Sequence, residues 1–393
     1  MTRKVYVAGV GMVPFTKPGQ NETYDLMGAA AVRLALQDAG VAYEEVQQAF
    51  AAYIYGDTCS GQRALYEVGL TGIPVFNVNN ACASGSSAIY LARQAIATGA
   101  ADVALAFGFE QMVPGALGAV FNDRPSTTGR MLDAIDGRLG ESEVPVALRI
   151  FGAAGLEHMQ RFGTPMESFA KIRAKASRHA ARNPLAVFRN EMTPEDVMAD
   201  KVLWPGVMTR SMACPPTCGA AAAILCSEEA AKRLGLDTRV WIAGQAIATD
   251  APNTFDASDM RNAVGYDMAK RAAQQVYDMA GIGPEGVDVV EMHDCFAHNE
   301  LITYESLGLC PEGGAEKFIN DGDNTYGGRY VTNPSGGLLS KGHPIGATGL
   351  AQCFELTNQL RGSADARQVE GARVALQHNL GVGGACVVTM YRN

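Results

Sequence analysis

Apolar runs alternate with amphipathic stretches along the first half of the chain. The apolar run from Val5 to Val10 is followed by helical periodicity from Tyr24 to Ala39, and Gly40 is suited to end that helix. A further helix is expected around Cys82, and strands are expected at 49–55, 73–78 and 103–107. Alternating strands and helices of this kind indicate an α/β fold.

The second half of the chain repeats this order of elements. Strands are predicted at 219–225, 240–248, 287–292, 374–377 and 385–391, and helices at 263–280 and from about His343 to Leu360. The segments 99–105 and 370–376 both contain Gly-Ala and end in Val-Ala-Leu. We therefore expect a duplicated α/β fold with an active site where the halves meet.

The segment from about Glu110 to Ser211 differs from its surroundings. It has frequent Gly and Pro residues, exposed charges and amphipathic stretches at 144–162, 166–183 and 193–201. A long excursion of this kind in a compact protein is typically functional, so we interpret it as an inserted lid. The predicted division is a first half made of 1–110 and 212–240, an inserted region at 111–211, and a second half at 241–393.

Composition excludes some classes of partner. The chain has 393 residues, 47% of them hydrophobic, and a formal net charge of -9, which predicts a large buried core. No basic run follows the pattern of a nucleic-acid binding protein, so no nucleic-acid partner is expected. No apolar run reaches the roughly 18 residues of a transmembrane helix, so no membrane span is expected either.

The nine cysteines are scattered at irregular spacing. We expect no signal peptide, because the first residues lead directly into the first strand, and we therefore expect free thiols in a reducing cytoplasm. Cys214 and Cys218 have the spacing of half a metal site, but no second Cys or His pair accompanies them, and no metal is expected.

Cys82 is the first candidate for chemistry. It lies among small residues in the segment 79–88, where another backbone or a ligand could approach closely. We expect it at the first turn of a helix, whose positive end would stabilise the thiolate, the nucleophilic form.

Three further motifs accompany Cys82. His293 and Cys295 follow the strand predicted at 287–292, so they are expected at the end of a buried strand and facing a cleft. His343 lies between Gly342 and a proline at the expected start of a helix, where a neutral imidazole is favoured over a cation. The glycine-rich segment 379–385 could donate backbone N–H groups to an oxyanion.

Each of these residues taken singly is more often structural than catalytic. A cysteine among small residues is usually a packing residue, and a lone histidine before proline is usually structural. Cys386 is expected in the core, and His298 at the surface or in a supporting position. No motif surrounds the remaining histidines, which are expected to be structural: His158, His179 and His378. The functional interpretation depends on three glycine-framed motifs occurring in one chain.

These motifs, at 80–85, 293–296 and 342–349 in that order, resemble those of the thiolase superfamily, and most closely its sterol-carrier type. The resemblance extends from 5–12 to the final strand and is densest from His293 to Tyr391. It implies an α/β thiolase fold, in which two duplicated βαβαβαββ-type halves form a five-layered α-β-α-β-α arrangement with an inserted loop domain.

The resemblance also implies roles for individual residues. Cys82 resembles the nucleophile that carries the acyl group as a thioester, and His343 the base that activates it. Cys295 resembles the second cysteine, which exchanges a proton with the α-carbon or a thiol. His293 should shape one oxyanion hole with His343, and the backbone N–H groups of Cys82 and Gly383 should form the other.

The chain departs from most thiolases at the second cysteine. In most members that cysteine lies in a Cys-x-Gly motif near the C-terminus, and Gly381 occupies the corresponding position here. The resemblance therefore assigns the proton-transfer role to Cys295, as in the sterol-carrier type.

The implied activity is CoA-dependent cleavage of a 3-ketoacyl-CoA to acyl-CoA and acetyl-CoA or propionyl-CoA, or the reverse condensation, through an acyl-cysteine with ping-pong kinetics. Coenzyme A would be a co-substrate and no cofactor would be bound. A homodimer or homotetramer in the cytoplasm is expected. Members of this type often carry a fused C-terminal lipid-carrier domain, and no stretch here corresponds to it. We therefore expect either a bacterial-like cytoplasmic enzyme, for which a lipid carrier or a small accessory protein would be separate, or a part of a larger protein.

Two alternatives stay open at this point. One is another carbon–carbon chemistry on the same fold, either a sterol-side-chain retro-aldolase or a condensing synthase that acts with a small partner protein. The other is a catalytically silent lipid- or CoA-binding scaffold. Retention of both Cys82 and Cys295 argues against the retro-aldolase, which does not require an acyl-cysteine.

Overall fold

Most strands of the protein form one long mixed sheet. The structure is a computed structural model that describes residues 3–114, 121, 123–255 and 258–393. Within those ranges the sheet has ten strands, and a separate pair, β5 and β6, lies outside it. In chain order the strands are β1 (Val5–Met12), β2 (Gln48–Ala52), β3 (Val75–Val78), β4 (Val103–Glu110), β5 (Val202–Trp204), β6 (Met208–Thr209), β7 (Gly219–Ser227), β8 (Trp241–Ala248), β9 (Val289–Glu291), β10 (Val331–Thr332), β11 (Val374–Gly381) and β12 (Ala385–Arg392).

The α-helices of the described ranges lie on both faces of this sheet and in the predicted insertion. They are α1 (Tyr24–Ala39), α2 (Ser60–Tyr66), α3 (Ser84–Ala97), α4 (Gly129–Leu139), α5 (Val146–Phe162), α6 (Met166–Ala181), α7 (Pro194–Ala199), α8 (Glu228–Leu234), α9 (Tyr266–Ala280), α10 (Ala297–Ser306), α11 (Ala315–Asn320) and α12 (Thr348–Arg361). No helix among the described residues is both long enough and apolar enough to cross a membrane.

The order of the sheet confirms the predicted duplication. The strands run β3-β2-β4-β7-β1 in one half and β10-β9-β11-β12-β8 in the other. In each half the three outer strands are parallel, and the two inner strands pair antiparallel. The halves meet at β1 and β8 through one residue pair, Tyr6 and Trp241.

The helices complete a layered arrangement. The helices α3 and α12 contact each other and both halves of the sheet, so they form a central layer. The helix α1 covers β1 and β7 on the outer side, and α9 covers β8 and β12 in the corresponding way. Apolar side chains of the central helices, such as Ile89 and Leu350, are fully buried. The central layer brings the start of α3 and the start of α12 into one region.

The two central helices start later than the sequence predicts. At Cys82, the backbone N–H groups of Ala83 and Ser84 donate to carbonyls of residues 80 and 81, and this turn delays α3 until Ser84. Cys82 therefore precedes the helix instead of lying in its first turn. His343 likewise precedes α12, because Gly342 has φ 117° and the residue before Pro344 is disfavoured in helical conformation.

The predicted insertion packs against the second half. The helix α5 contacts α10, and α6 contacts α10, α11 and the turn at Gly337–Lys341. Residues 115–120 and 122 of the predicted insertion lie outside the described residues. Its exact limits stay a prediction. The helix α10, which follows the second motif directly, is not predicted from the sequence.

Candidate functional site

Three predicted side chains converge from distant parts of the chain. One side-chain sulfur or ring nitrogen atom from each of Cys82, His293 and His343 lies within 4.8 Å of the other two. The two imidazole rings stand nearly perpendicular, at 82°, with their centroids 5.1 Å apart. Both histidines are buried and Cys82 is partly exposed, so the cysteine forms the accessible side of the cluster.

A tight turn presents Cys82. Ala81 has φ 47°, a left-handed conformation that is uncommon for a residue with a side chain. The turn is held by the Ser84 hydroxyl, which accepts from the backbone N–H of Asn80 at 2.8 Å, and by the Asn80 side chain, which donates to Ser87 at 2.9 Å. Strained backbone of this kind clusters at functional sites, and here it directs the thiol towards the two histidines.

The resting thiol of Cys82 is not stabilised as a thiolate. Burial, reinforced by the carboxyl group of Glu110, raises the pKa of Cys82 to about 12, although the backbone N–H of Val382 donates to its sulfur. This direction is opposite to the one expected from the sequence. The reason is that Cys82 lies outside the helix and in a site where desolvation outweighs the helix dipole. A proton acceptor is therefore needed next to it.

His343 has the geometry of that acceptor. Its Nδ1 lies 2.6 Å from the hydroxyl of Thr348, and that hydroxyl donates its proton to the carbonyl of Pro344 at 3.0 Å. Thr348 must then accept from Nδ1–H, so Nε2 of His343 carries the lone pair. Burial, followed by Lys341, lowers the pKa of His343 to about 3, which agrees with the neutral imidazole expected from the sequence.

His293 follows β9 directly and is fully buried. Its Nδ1 lies 3.2 Å from the amide nitrogen of Asn379, and its Nε2 has no hydrogen-bond partner among the described residues. Burial lowers the pKa of His293 well below its usual value, and His343 adds to this effect. An unpartnered buried nitrogen is unusual in a folded protein, and this one belongs to the cluster with Cys82 and His343, where an oxygen of a bound ligand would satisfy it.

Cys295 is a buried neighbour of the cluster. Burial raises its pKa, and the thiols of Cys214 and Cys82 raise it further. The backbone N–H of Cys214 donates to the carbonyl of Cys295 at 2.8 Å. The site thus contains a third thiol, Cys214, which the sequence marks only as half of a metal pair. No local pattern distinguishes it, because its position depends on contact between segments about 80 residues apart.

Gly381 and Val382 border the cysteine from the opposite half. A Cβ at Gly381 would overlap the carbonyl oxygen of Asn80 and lie 3.1 Å from the backbone nitrogen of Ala83. The N–H that donates to the sulfur of Cys82 belongs to Val382, which the sequence does not single out. The predicted oxyanion role of the neighbouring Gly383 stays a prediction.

Two buried carboxyl groups bind the loops around the cluster. Asp294 accepts from the backbone N–H of Leu338 at 2.6 Å, and burial raises its pKa to about 8. Glu110 accepts from the backbone N–H groups of Tyr55 at 2.8 Å and Gly346 at 3.0 Å, and burial raises its pKa to about 7. The two groups connect the segments around His293 and His343 to their neighbours, and neither is predicted from sequence.

The other histidines and Cys386 lie away from this cluster or support it. His298 is fully buried, with its Nε2 2.8 Å from the carbonyl of Val207, so a surface position is wrong for it. Cys386 is buried in the core, as predicted. The remaining histidines are also buried and hydrogen-bonded, as expected for structural residues: His158, His179 and His378.

Both halves of the chain match family models. Residues 5–203 match the thiolase N-terminal domain, and residues 250–391 match the thiolase C-terminal domain-like family. Human sterol carrier protein 2 is 50% identical over 99% of this chain and 72% of its own length. The non-specific lipid-transfer protein-like 2 of Caenorhabditis elegans is 46% identical over 99% of this chain and 96% of its own length. The benzoylsuccinyl-CoA thiolase subunit BbsB of Thauera aromatica is 36% identical over 98% of this chain and 96% of its own length.

Solved structures share the fold at lower identity. The Ltp2-ChsH2(DUF35) aldolase aligns with a TM-score of 0.82 and 22% identity over 98% of this chain and 97% of that one. Human mitochondrial 3-ketoacyl-CoA thiolase in complex with CoA aligns with a TM-score of 0.74 and 19% identity over 100% of this chain and 98% of that one. At such identities the structures establish the fold alone, and it is the predicted thiolase fold.

Proposed function

The chain belongs to the thiolase family, and we propose that it is a 3-ketoacyl-CoA thiolase of the sterol-carrier type, which acts in fatty-acid or sterol side-chain metabolism. The observation that carries the proposal is the convergence of Cys82, His293 and His343 within 4.8 Å. A soft nucleophile, a base and an oxyanion donor in one pocket are the groups that cleavage of a 3-ketoacyl thioester requires.

The first half-reaction starts with proton transfer from Cys82 to Nε2 of His343. Burial disfavours each charge singly, but transfer creates the thiolate and the imidazolium together, so each stabilises the other. The sulfur of Cys82 forms a bond to C3 of the substrate, and the C2–C3 bond breaks with its electron pair on C2. The thiol of Cys295 then gives its proton to C2, and acetyl-CoA or propionyl-CoA leaves.

The second half-reaction restores the enzyme. The thiol of coenzyme A gives its proton to the Cys295 thiolate, and its sulfur attacks the acyl carbon on Cys82. The bond between that carbon and Cys82 breaks, and Cys82 recovers its proton from His343. In the first half-reaction, His293 and His343 would stabilise negative charge on the thioester oxygen of the enolate. In both half-reactions, the backbone N–H groups of Cys82 and Gly383 would stabilise the acyl oxygen.

A labelling experiment tests the proposal. The protein is mixed with acetoacetyl-CoA, its CoA-dependent cleavage is followed, and acylated cysteines are located by mass spectrometry. We expect label on Cys82 in the wild type, and neither label nor cleavage in Cys82→Ala. Cys59→Ser is the matched control, because Cys59 is an exposed free cysteine, and it should behave as the wild type. Cleavage of acetoacetyl-CoA by the Cys82→Ala variant would contradict the proposed role.

The similarity in fold to an aldolase that is named with a DUF35 partner makes a retro-aldolase the second candidate. A retro-aldolase splits a 3-hydroxyacyl thioester into a carbonyl compound and a shorter thioester, without consuming free CoA and without an acyl-cysteine. Cleavage of a 3-hydroxyacyl-CoA that is independent of free CoA, in a protein inactive on acetoacetyl-CoA, would favour this candidate. The second buried thiol, Cys295, whose ionisation is opposed by that of Cys82, supports the thiolase instead.

The free edge of the sheet supports a homodimer or homotetramer. Among the described residues β3 pairs with β2 alone, so its other side offers unpaired backbone groups. Three large apolar side chains near this edge are exposed: Tyr66, Leu70 and Phe76. Such an edge favours pairing with another chain. Light scattering of the purified protein would test this, and the cytoplasmic location stays a prediction.

A further inference from the structure

We propose that Asn379 is a positioning residue that fixes the tautomer of His293, so that Nε2–H of His293 is an obligatory donor to the reacting oxygen. The inference rests on the proposed thiolase function. It gives the side chain of Asn379 a role that the sequence motifs do not give it. It derives from a chain of buried hydrogen bonds that leads from β12 through α3 to the active site.

Gln377 determines which atoms donate and which accept along this series of hydrogen bonds. Its side-chain nitrogen donates to the carbonyl of Gly349 at 2.6 Å, and its side-chain oxygen accepts from the hydroxyl of Tyr391 at 2.6 Å. A carbonyl oxygen can only accept, so the amide of Gln377 has one possible orientation. The same nitrogen lies 2.8 Å from the hydroxyl of Ser86 and 3.1 Å from Oε1 of Gln352, so its two protons meet three acceptors, of which Gly349 and Ser86 are the nearer two.

Ser86 in turn determines the orientation of the Asn379 amide. Because the Ser86 oxygen accepts from Gln377, its single proton is available for the side-chain oxygen of Asn379, 2.8 Å away. The amide of Asn379 is thereby oriented with its nitrogen towards His293, 3.2 Å from Nδ1. The opposite orientation would leave the buried hydroxyl proton of Ser86 without an acceptor.

The tautomer of His293 follows. Its Nδ1 accepts from Asn379, so in the neutral ring the proton is on Nε2. That nitrogen is the one without a partner, and burial keeps the ring neutral. His293 thus presents N–H, whereas Nε2 of His343 presents a lone pair, and the two rings differ in role. Coordination of a metal at Nε2 would require that proton to move to Nδ1, where it would face the amide N–H of Asn379.

The residues of this hydrogen-bond series are all buried, so water does not compete for their hydrogen bonds: Ser86, Gln377, Asn379 and Tyr391. Ser86 lies in α3, which begins just after Cys82, whereas the other three lie in the second half. The helix that follows the nucleophile therefore also orients the oxyanion donor. We infer that the two halves must be correctly docked before His293 adopts its active tautomer.

Nitrogen NMR of histidine in the intact protein tests the inference without relying on turnover. With ¹⁵N-labelled histidine, the wild type should show His293 protonated at Nε2 and unprotonated at Nδ1, assigned by loss of the signal in His293→Ala. In Asn379→Asp, the carboxylate should draw the proton to Nδ1. Ser86→Ala should give a mixture of tautomers. The matched control is Ser177→Ala, a buried serine in α6 that is not in the chain, and it should keep the wild-type pattern.

Kinetics provide the second readout. Loss of an oxyanion donor typically lowers kcat by about 100-fold or more, so Asn379→Asp should show this loss with little change in KM. Its pH profile should gain a new ionisation, because the carboxylate raises the pKa of His293. Protonation of His293 at Nδ1 in the active wild type, or full activity of Asn379→Asp, would overturn the inference. Absence of thiolase activity in the wild type with the expected tautomer would instead overturn the proposed function.

Discussion

Gly381 contacts Asn80 through the backbone, and the carbonyl oxygen of Asn80 occupies the space that a side chain at 381 would need. The two residues come from opposite halves, Gly381 from the end of β11 and Asn80 from the turn that presents Cys82. A side chain at 381 therefore does not fit this backbone unless the turn that presents Cys82 moves.

Gly381→Ala should therefore displace the Cys82 turn. Overpacking of a close contact costs about 1–3 kcal/mol, and we expect the free energy of unfolding to fall by that amount, with a loss of acyl labelling at Cys82. Denaturant titration and mass spectrometry measure the two effects. The control is Gly137→Ala in α4, where a Cβ meets nothing within 4 Å. Equal behaviour of the two variants would show that the contact with Asn80 is unimportant.

The two thiols beside Cys82 should differ in function. Cys295→Ser is expected to accept an acetyl group from acetyl-CoA on Cys82 but to lose exchange of α-protons of acetyl-CoA in D₂O, because its hydroxyl is a much weaker acid. Cys214→Ser should keep most of that exchange, since Cys214 contacts Cys295 through its backbone N–H. Exchange is followed by NMR. If Cys214→Ser loses exchange and Cys295→Ser keeps it, the two assignments are reversed.

The pKa values of Cys82 and His343 predict how alkylation and catalysis depend on pH. The pKa of Cys82 is raised to about 12, so the rate of its alkylation by iodoacetamide in the free enzyme should rise about tenfold per pH unit between pH 7 and 10, without a plateau. The pKa of His343 is lowered to about 3, so kcat/KM should show no acid limb from His343 above about pH 4. A plateau of alkylation near neutral pH would show instead that a thiolate–imidazolium pair exists at rest.

Glu110 should make the protein less stable as the pH rises. Its pKa is about 7 in the folded protein and ordinarily 4.5, so between these values the folded state holds a proton that the unfolded chain has released. The stabilisation is complete below about pH 4.5, and about 3 kcal/mol is lost by pH 7. Denaturant titrations at pH 5 and 8 should show a smaller pH effect in Glu110→Gln than in the wild type. Identical pH effects in both proteins would contradict this pKa shift.

Glu110→Gln should also disturb the loop that carries His343. Both carboxylate oxygens accept backbone N–H groups, including that of Gly346, and an amide nitrogen in place of one oxygen would face a donor. A buried donor left unpaired costs about 1–3 kcal/mol, so lower stability and lower kcat are expected together. Glu316→Gln, in α11, is a suitable control at a carboxyl group for which the structure gives no such role.

The elements of the fold follow closely from hydrophobic periodicity. The helix Tyr24–Ala39 and its left-handed Gly40 have the predicted limits, because the signals for both ends are local. Prediction is less accurate where short-range bonding competes with helix formation, as before Ser84 and Thr348. It misses α10, whose polar residues are buried by contacts with other segments.

The residue types in the motifs, their order and the duplicated pattern are properties of the chain, and they were enough to identify the nucleophile, both imidazoles and the second thiol as candidates. The raised pKa of Cys82, the presence of Cys214 and the tautomer of His293 could not be derived in this way. Each depends on desolvation or on hydrogen bonds between residues far apart in sequence, and these arise when the two halves pack together.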